Sequence, residues 1–282
     1  MRALWLNVKT ALLAVAGAAA VALLGPSSAS AAQRRMDTSF RSPAIGGILH
    51  FEIYLPDGYS SSTLRYPVVY VLHGLPSGAS AYRSLRFVER AVDTLDRQAI
   101  VVVPQGARAG ETDPEYFDEG PGHRWASAIA SELPHVVDAR YRTIRSRDGR
   151  ALIGISAGGY GAMQLAFNNL DEFSAVESWS GYFHPTDPTG TRAIDLGPTA
   201  DVHRLLESVG TELRARKTFI AFYVGRSDPL FFAENETLNQ ELSAAGIAHV
   251  FRLYPGGHDQ SLWQRYAAPW LELALVHLAR AH

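Results

Sequence analysis

Ser156 stands in the segment Gly154-Ile155-Ser156-Ala157-Gly158-Gly159, at the end of the short apolar run Ala151-Leu152-Ile153 and before a stretch of small residues. Gly-x-Ser-x-Gly between a strand and a helix is the pattern of a sharp turn that presents a serine hydroxyl at its tip. Side chains at Gly154 and Gly158 would collide in so tight a turn. A helix beginning near Ala157 would point its positive end at an oxyanion formed beside Ser156. The chemistry these residues could do is acyl transfer through a serine nucleophile.

A serine hydroxyl needs a general base beside it, and a histidine base needs a carboxylate to hold its tautomer. On an α/β sheet that carries such a turn, the three follow in the order serine, acid, histidine. Four late histidines satisfy that order: His249, His258, His277 and His282. Only His258 falls in a loop just past a strand-like run, in Tyr254-Pro255-Gly256-Gly257-His258-Asp259, so it is the expected base. The expected acid is Asp228, which follows the run Phe219–Val224 in Gly225-Arg226-Ser227-Asp228-Pro229. Asp201 and Asp259 are alternatives. Glu234 and Glu236 fall in a helical pattern and are weaker ones.

An oxyanion hole requires two backbone N–H donors. One is expected from Ala157, directly after the nucleophile. The other is expected from the loop His73-Gly74-Leu75-Pro76, from Leu75 or alternatively from Gly74. His73 precedes Ser156 and breaks the chain order, so it reads as a residue that orients this loop. Trp125, Trp179 and Trp263 fit either a substrate cleft or core packing.

These residues need a scaffold that brings distant loops to one edge. Strand-like runs lie at Ile48–Leu55, Val68–Leu72, Ile100–Val103, Ala151–Ile155, Ala175–Ser178, Phe219–Val224 and Val250–Tyr254. The runs at 68–72 and 100–103 are apolar throughout, as in strands covered on both faces of a parallel sheet. Helical segments are expected at 81–97, 125–141, 159–169, 202–215, 232–245 and 261–279, with Pro134 kinking or ending the second. Strands alternating with helices predict an α/β fold with a doubly wound, mostly parallel sheet and helices on both faces. Two long loops, 104–124 and 181–200, leave strands at the carboxyl edge, where ligands bind in such sheets, and are expected to wall the site.

The 282 residues include no cysteine, which excludes a thiol nucleophile, a disulfide framework and thiolate metal sites. No zinc-binding spacing, phosphate-cradling loop or dinucleotide fingerprint occurs, so neither a metal nor a cofactor is expected. The formal charge is −2 with no basic cluster, which argues against nucleic acid as a partner. Arg2 and Lys9, the run Ala11–Leu24, the break at Gly25-Pro26 and the small residues Ala29-Ser30-Ala31 form the three-part pattern of a secretory signal. The run is short for a bilayer span. Residues 1–31 are therefore expected to be removed, leaving a single extracellular catalytic domain over 32–282 with no integral membrane span.

Tyr70-Val71-Leu72-His73-Gly74, Ser131-Glu132-Leu133-Pro134, Gly154-Ile155-Ser156-Ala157-Gly158-Gly159, Trp179-Ser180-Gly181, and Pro255-Gly256-Gly257-His258-Asp259 with Trp263 beyond together resemble the secreted arm of the esterase D family of α/β-hydrolases. That family includes feruloyl and acetyl-xylan esterases, S-formylglutathione hydrolase and the secreted mycolyltransferases. The resemblance implies an α/β-hydrolase fold with Ser156 as nucleophile, Asp228 as orienting acid and His258 as base. It implies a small-molecule or cell-wall polysaccharide ester as substrate. The mycolyltransferases typically carry glutamate where Asp228 stands and an acidic residue where His73 stands. The cytosolic S-formylglutathione enzymes usually have a cysteine near the site and no secretion signal. Hydrolysis of carboxylic esters is thus the first expectation. Transfer of the acyl group to a sugar hydroxyl is the second, and a binding protein on a decayed hydrolase scaffold the third.

Overall fold

The computed structural model describes residues 35–111, 116–187 and 192–282. The expected leader, residues 1–31, lies outside the described residues, as do parts of both expected long loops. Eight strands form one sheet: β1 (Arg35–Ser42), β2 (Gly47–Tyr54), β3 (Val68–Leu72), β4 (Ile100–Pro104), β5 (Arg150–Ile155), β6 (Ala175–Trp179), β7 (Phe219–Gly225) and β8 (Val250–Tyr254). Their order is β1-β2-β4-β3-β5-β6-β7-β8. β1 pairs antiparallel with β2 and β2 antiparallel with β4, and every other pairing is parallel.

The parallel strands β3–β7 bury apolar side chains on both faces, and β8 at the sheet edge is only partly covered. On one face lie Val68, Tyr70, Leu72, Val102, Leu152, Val176 and Phe222. On the other lie Val69, Val71, Val103, Ile153, Trp179 and Tyr223. This alternation is why the runs at 68–72 and 100–103 carry no polar residue: neither face meets water. Each such aliphatic or aromatic side chain contributes about 1.5–3 kcal/mol relative to exposure.

Helices cover both faces. The first face carries α2 (Trp125–Ser127), α3 (Leu133–Arg140), α4 (Ala157–Asn168), α5 (Val202–Arg216) and α6 (Phe232–Ala244). The second carries α1 (Arg86–Val92) and α7 (Gln260–Val276). The architecture is the expected α/β-hydrolase fold. Among the described residues, no helix is long and apolar enough to cross a membrane.

Three local features depart, in whole or in part, from the sequence reading. The helix expected over 81–97 is a 3-10 turn, Ala81–Ser84, followed by α1, which stops at Val92. Thr94 closes it: its N–H and its hydroxyl both donate to the Ala91 carbonyl, which competes with further helical bonding. Pro134 does not end its helix. A single π-helical turn, Ala128–Glu132, precedes it, Pro134 falls in the first turn of α3, and the helix runs on to Arg140. An extra residue in that turn shifts the hydrogen-bond register to where a missing N–H costs least. Finally, β1 was not expected. Its sequence is largely polar because it is an edge strand with most residues only partly covered.

Candidate active site

The carboxyl ends of the parallel strands all lie at one edge of the sheet. Ser156 follows β5, Asp228 follows β7, His258 follows β8, and the loop with Leu75 follows β3.

Ser156 has φ 55 and ψ −123, a backbone conformation that non-glycine residues avoid. Two contacts hold it there. Its N–H donates to the Trp179 carbonyl at 3.0 Å, and its carbonyl accepts from the Gly159 N–H at 2.7 Å. The flanking glycines are demanded by close approach: a Cβ on Gly154 would lie 1.8 Å from the Gly158 carbonyl oxygen, and one on Gly158 would lie 2.3 Å from the Leu72 carbonyl oxygen. Ser156 as a residue is left partly accessible.

His258 Nε2 lies 2.9 Å from Ser156 Oγ, and His258 Nδ1 lies 2.9 Å from Asp228 Oδ2. An ionised carboxylate only accepts, so the proton sits on Nδ1 and Nε2 is left to accept from the serine hydroxyl. Burial pushes the Asp228 carboxyl up, but His258 and the N–H groups of Leu230 and Phe231 outweigh it and hold the group below the ordinary carboxylate range. Those two N–H groups donate to Asp228 Oδ1 at 2.9 and 3.1 Å.

The other acids stand elsewhere. Asp201 caps α5 by accepting from the Arg204 N–H, and Asp259 caps α7 by accepting from the Ser261 and Leu262 N–H groups. Glu234 accepts from the Phe183 N–H and pairs with His184, and Glu236 lies on the same helix, α6. The remaining late histidines are also apart. His249 Nε2 is 2.9 Å from Asn239 Oδ1, His277 stacks on Phe219, and the main chain of His282 pairs with that of Arg65.

The loop after β3 passes directly over the nucleophile: a Cβ on Gly74 would lie 2.9 Å from Ser156 Cβ. Leu75 follows at this rim. Ala157 opens α4, where the first N–H groups of a helix have no intrahelical acceptor. His73 is buried, and its Nδ1 is 2.9 Å from the Gly74 carbonyl. Burial lowers this imidazole to about 4, so it is neutral and braces its own loop. Tyr116, from the first long loop, donates to the His73 carbonyl at 2.7 Å and steadies the same turn. From the second, Tyr182 packs against Phe231.

Trp125 and Trp179 belong to the two cores. Trp263 instead packs its ring against His258, with centroids 5.2 Å apart. Two contributors were not expected from sequence: Phe231, whose ring meets His258 edge to face at 5.0 Å, and Ser180, with φ 53 at the end of β6. An aspartate that bonds the main chain two residues on is a known turn signal, so Asp228-Pro229-Leu230-Phe231 could have disclosed the first. The second stands in Trp179-Ser180-Gly181, one of the segments that carry the resemblance, but its role there was not assigned. Among the described residues, no group of three or more histidine or acidic side chains is placed to hold a metal ion.

A hydroxyl hydrogen-bonded to a neutral imidazole, itself oriented by a buried carboxylate, can be deprotonated as it attacks a carbonyl. Comparison with known proteins shows the family and the fold. An esterase of Mycobacterium tuberculosis, Rv1288, is 30% identical over 251 residues, covering 78% of this chain and 54% of its own length. The chain thus spans about half the length of the first curated relatives it matches. A ferulic acid esterase superposes with a TM-score of 0.75 at 22% identity, covering 86% of this chain and 98% of its own. S-formylglutathione hydrolase from Staphylococcus aureus does so with a TM-score of 0.68 at 20% identity, covering 86% and 98%. At these identities the structural likeness shows the fold. The esterase family model matches residues 42–267, and the chain belongs to that family.

Proposed function

We propose that this chain is a secreted serine esterase that hydrolyses carboxylic esters through an acyl-enzyme on Ser156. Ser156 Oγ attacks the ester carbonyl carbon while His258 Nε2 takes its proton. The carbonyl oxygen becomes an oxyanion held by the N–H groups of Ala157 and Leu75. The C–O bond to the alcohol breaks, and the alcohol leaves with the proton from His258. Water then attacks the acyl carbon, His258 takes its proton, and the acid departs as Ser156 Oγ is reprotonated. Asp228 stays ionised throughout and stabilises the imidazolium.

The observation that carries this reading is the continuous contact Ser156 Oγ to His258 Nε2 to Asp228, with both distances at 2.9 Å. Family membership supports ester substrates, and the N-terminal pattern of Arg2, Lys9 and Ala11–Leu24 supports export. The test is turnover of a chromogenic short-chain ester together with labelling by an organophosphonate. The wild type should turn over, and the label should map by mass to Ser156. Ser156→Ala should lose nearly all turnover and all labelling, and undiminished turnover in that variant overturns the proposal. Product analysis with an added sugar separates hydrolysis from transfer, since water as acceptor releases free acid alone.

A further inference from the structure

We propose that Trp263 is a positioning residue for His258, held in that role by Ser180. The proposal rests on the serine esterase reading. Two hydrogen bonds hold the imidazole, one at Nδ1 and one at Nε2. Neither bond restrains the ring against displacement out of its own plane, and such a displacement carries Nε2 out of line with Ser156 Oγ. Aromatic neighbours restrain that displacement. The Trp263 ring meets the imidazole at 5.2 Å and 85°, and the Phe231 ring meets it at 5.0 Å and 76°.

The two neighbours are fixed differently. Phe231 is tied to the catalytic acid through its own N–H. Trp263 stands near the start of α7, and its Nε1–H donates to Ser180 Oγ at 3.2 Å. Ser180 is buried with φ 53, and its N–H donates to the Tyr223 carbonyl at 2.7 Å. A non-glycine residue persists in that conformation only where its surroundings over-determine it. The residue before it, Trp179, accepts the N–H of Ser156. One dipeptide at the end of β6 therefore anchors the serine's main chain with one residue and the indole that flanks the histidine with the next. The spacing between attacking oxygen and base is set from a single rigid strand end.

The experiment uses the full chain and compares Trp263→Phe, Ser180→Ala and the double variant on one short chromogenic ester. Trp263→Phe keeps an aromatic ring but removes the N–H, and Ser180→Ala removes only the hydroxyl. Misalignment of a catalytic group by a fraction of an ångström to 1 Å is read in kcat. Each single variant should lower kcat about tenfold with KM within twofold. The double variant should be no worse than the singles, because both break the same contact. The low-field proton resonance of the His258 Nδ1–H should broaden in both. Should Trp263→Phe fail to fold, Ser180→Ala carries the same test. The proposal is overturned if both variants keep kcat within twofold, if KM rises at constant kcat, or if the losses multiply in the double variant. Ser156→Ala on the same ester separates the two claims. If it stays active, the esterase reading falls. If it is inactive while Trp263→Phe and Ser180→Ala behave as wild type, only the positioning role falls.

Discussion

His258 Nδ1 meets Asp228 Oδ2 at 2.9 Å, while the other oxygen of the same carboxylate accepts the N–H groups of Leu230 and Phe231. One buried acid thus orients the imidazole and shapes the chain beside it. Asp228→Asn keeps an acceptor for the main chain but permits the wrong imidazole tautomer. We expect kcat on a chromogenic ester to fall by about 10³- to 10⁴-fold with the thermal midpoint nearly unchanged. A loss under tenfold would contradict the role assigned to Asp228.

The turn at Ser156 leaves no volume for added atoms. A Cβ on Gly158 would lie 2.3 Å from the Leu72 carbonyl oxygen and 2.6 Å from that of His73, both main-chain atoms that cannot rotate away. Gly158→Ala should destabilise the fold by about 1–3 kcal/mol or more and displace the loop that carries Leu75. The calorimetric midpoint and ester turnover should decline together, and a variant with wild-type values of both would contradict the steric role assigned to Gly158.

Glu177 lies fully buried in β6, where one of its side-chain oxygens accepts from the Trp179 indole at 2.9 Å. Burial pushes this carboxyl well above the ordinary range, against the smaller opposing effect of the Trp179 bond. A raised native value means stability that is fully present below the unfolded carboxyl value, near 4.3, and is lost as pH rises from there toward the native value. Glu177→Gln mimics the neutral acid and has no such loss. The thermal midpoint of the wild type should therefore fall relative to Glu177→Gln between pH 4.5 and pH 8, and parallel pH curves would refute a neutral Glu177.

A second titrating group joins α5 and α6 to the segment after β6. His184 Nδ1 is 2.5 Å from Glu234 Oε1, and His203 Nδ1 is 2.5 Å from Glu241 Oε2. Burial lowers His203, but Glu234 and Glu241 more than offset it and raise the imidazole from 6.5 to about 9. Its contribution is fully present below about pH 6.5 and disappears as pH rises through about 9. Burial raises Glu234, yet His184 and His203 outweigh it and hold the carboxyl below 4.5, so its contribution is present above that value and is lost as pH falls through the lower native one. The network should support the fold most strongly between about pH 4.5 and 6.5. Glu234→Gln should lower the melting temperature by about 2–4 °C there and less at pH 9. A uniform loss across that pH range would show that charge is not the cause.

Much of the site was legible because its constraints are local. The spacing of Gly154, Ser156 and Gly158 reports a turn that only those residue types can make, and Gly256-Gly257 before His258 reports a loop past a strand. Asp228 followed from chain order together with its place just past the strand-like run Phe219–Val224. β1 was not legible, because an edge strand needs little apolar alternation. Nor was the passage of a helix through Pro134, since the π-helical turn before it ends on Glu132, which reaches across to Ser42 and the Ala44 N–H. The roles of the tryptophans were undecided for the same reason: an indole in a core and one beside a catalytic ring look alike in sequence.

Residue order and spacing by themselves determined the layered α/β architecture, the tight turn at Ser156 and the short set of groups able to serve it, because strand periodicity and turn sterics act over a few residues. Only the tertiary structure decided that His258 reaches Ser156 across 102 positions, that Asp201 and Asp259 cap helices instead, and that Ser180 meets Trp263 across 83. Such contacts depend on strand order and register, which set where each loop emerges, and distances of a few ångströms between loops are not encoded in any one segment.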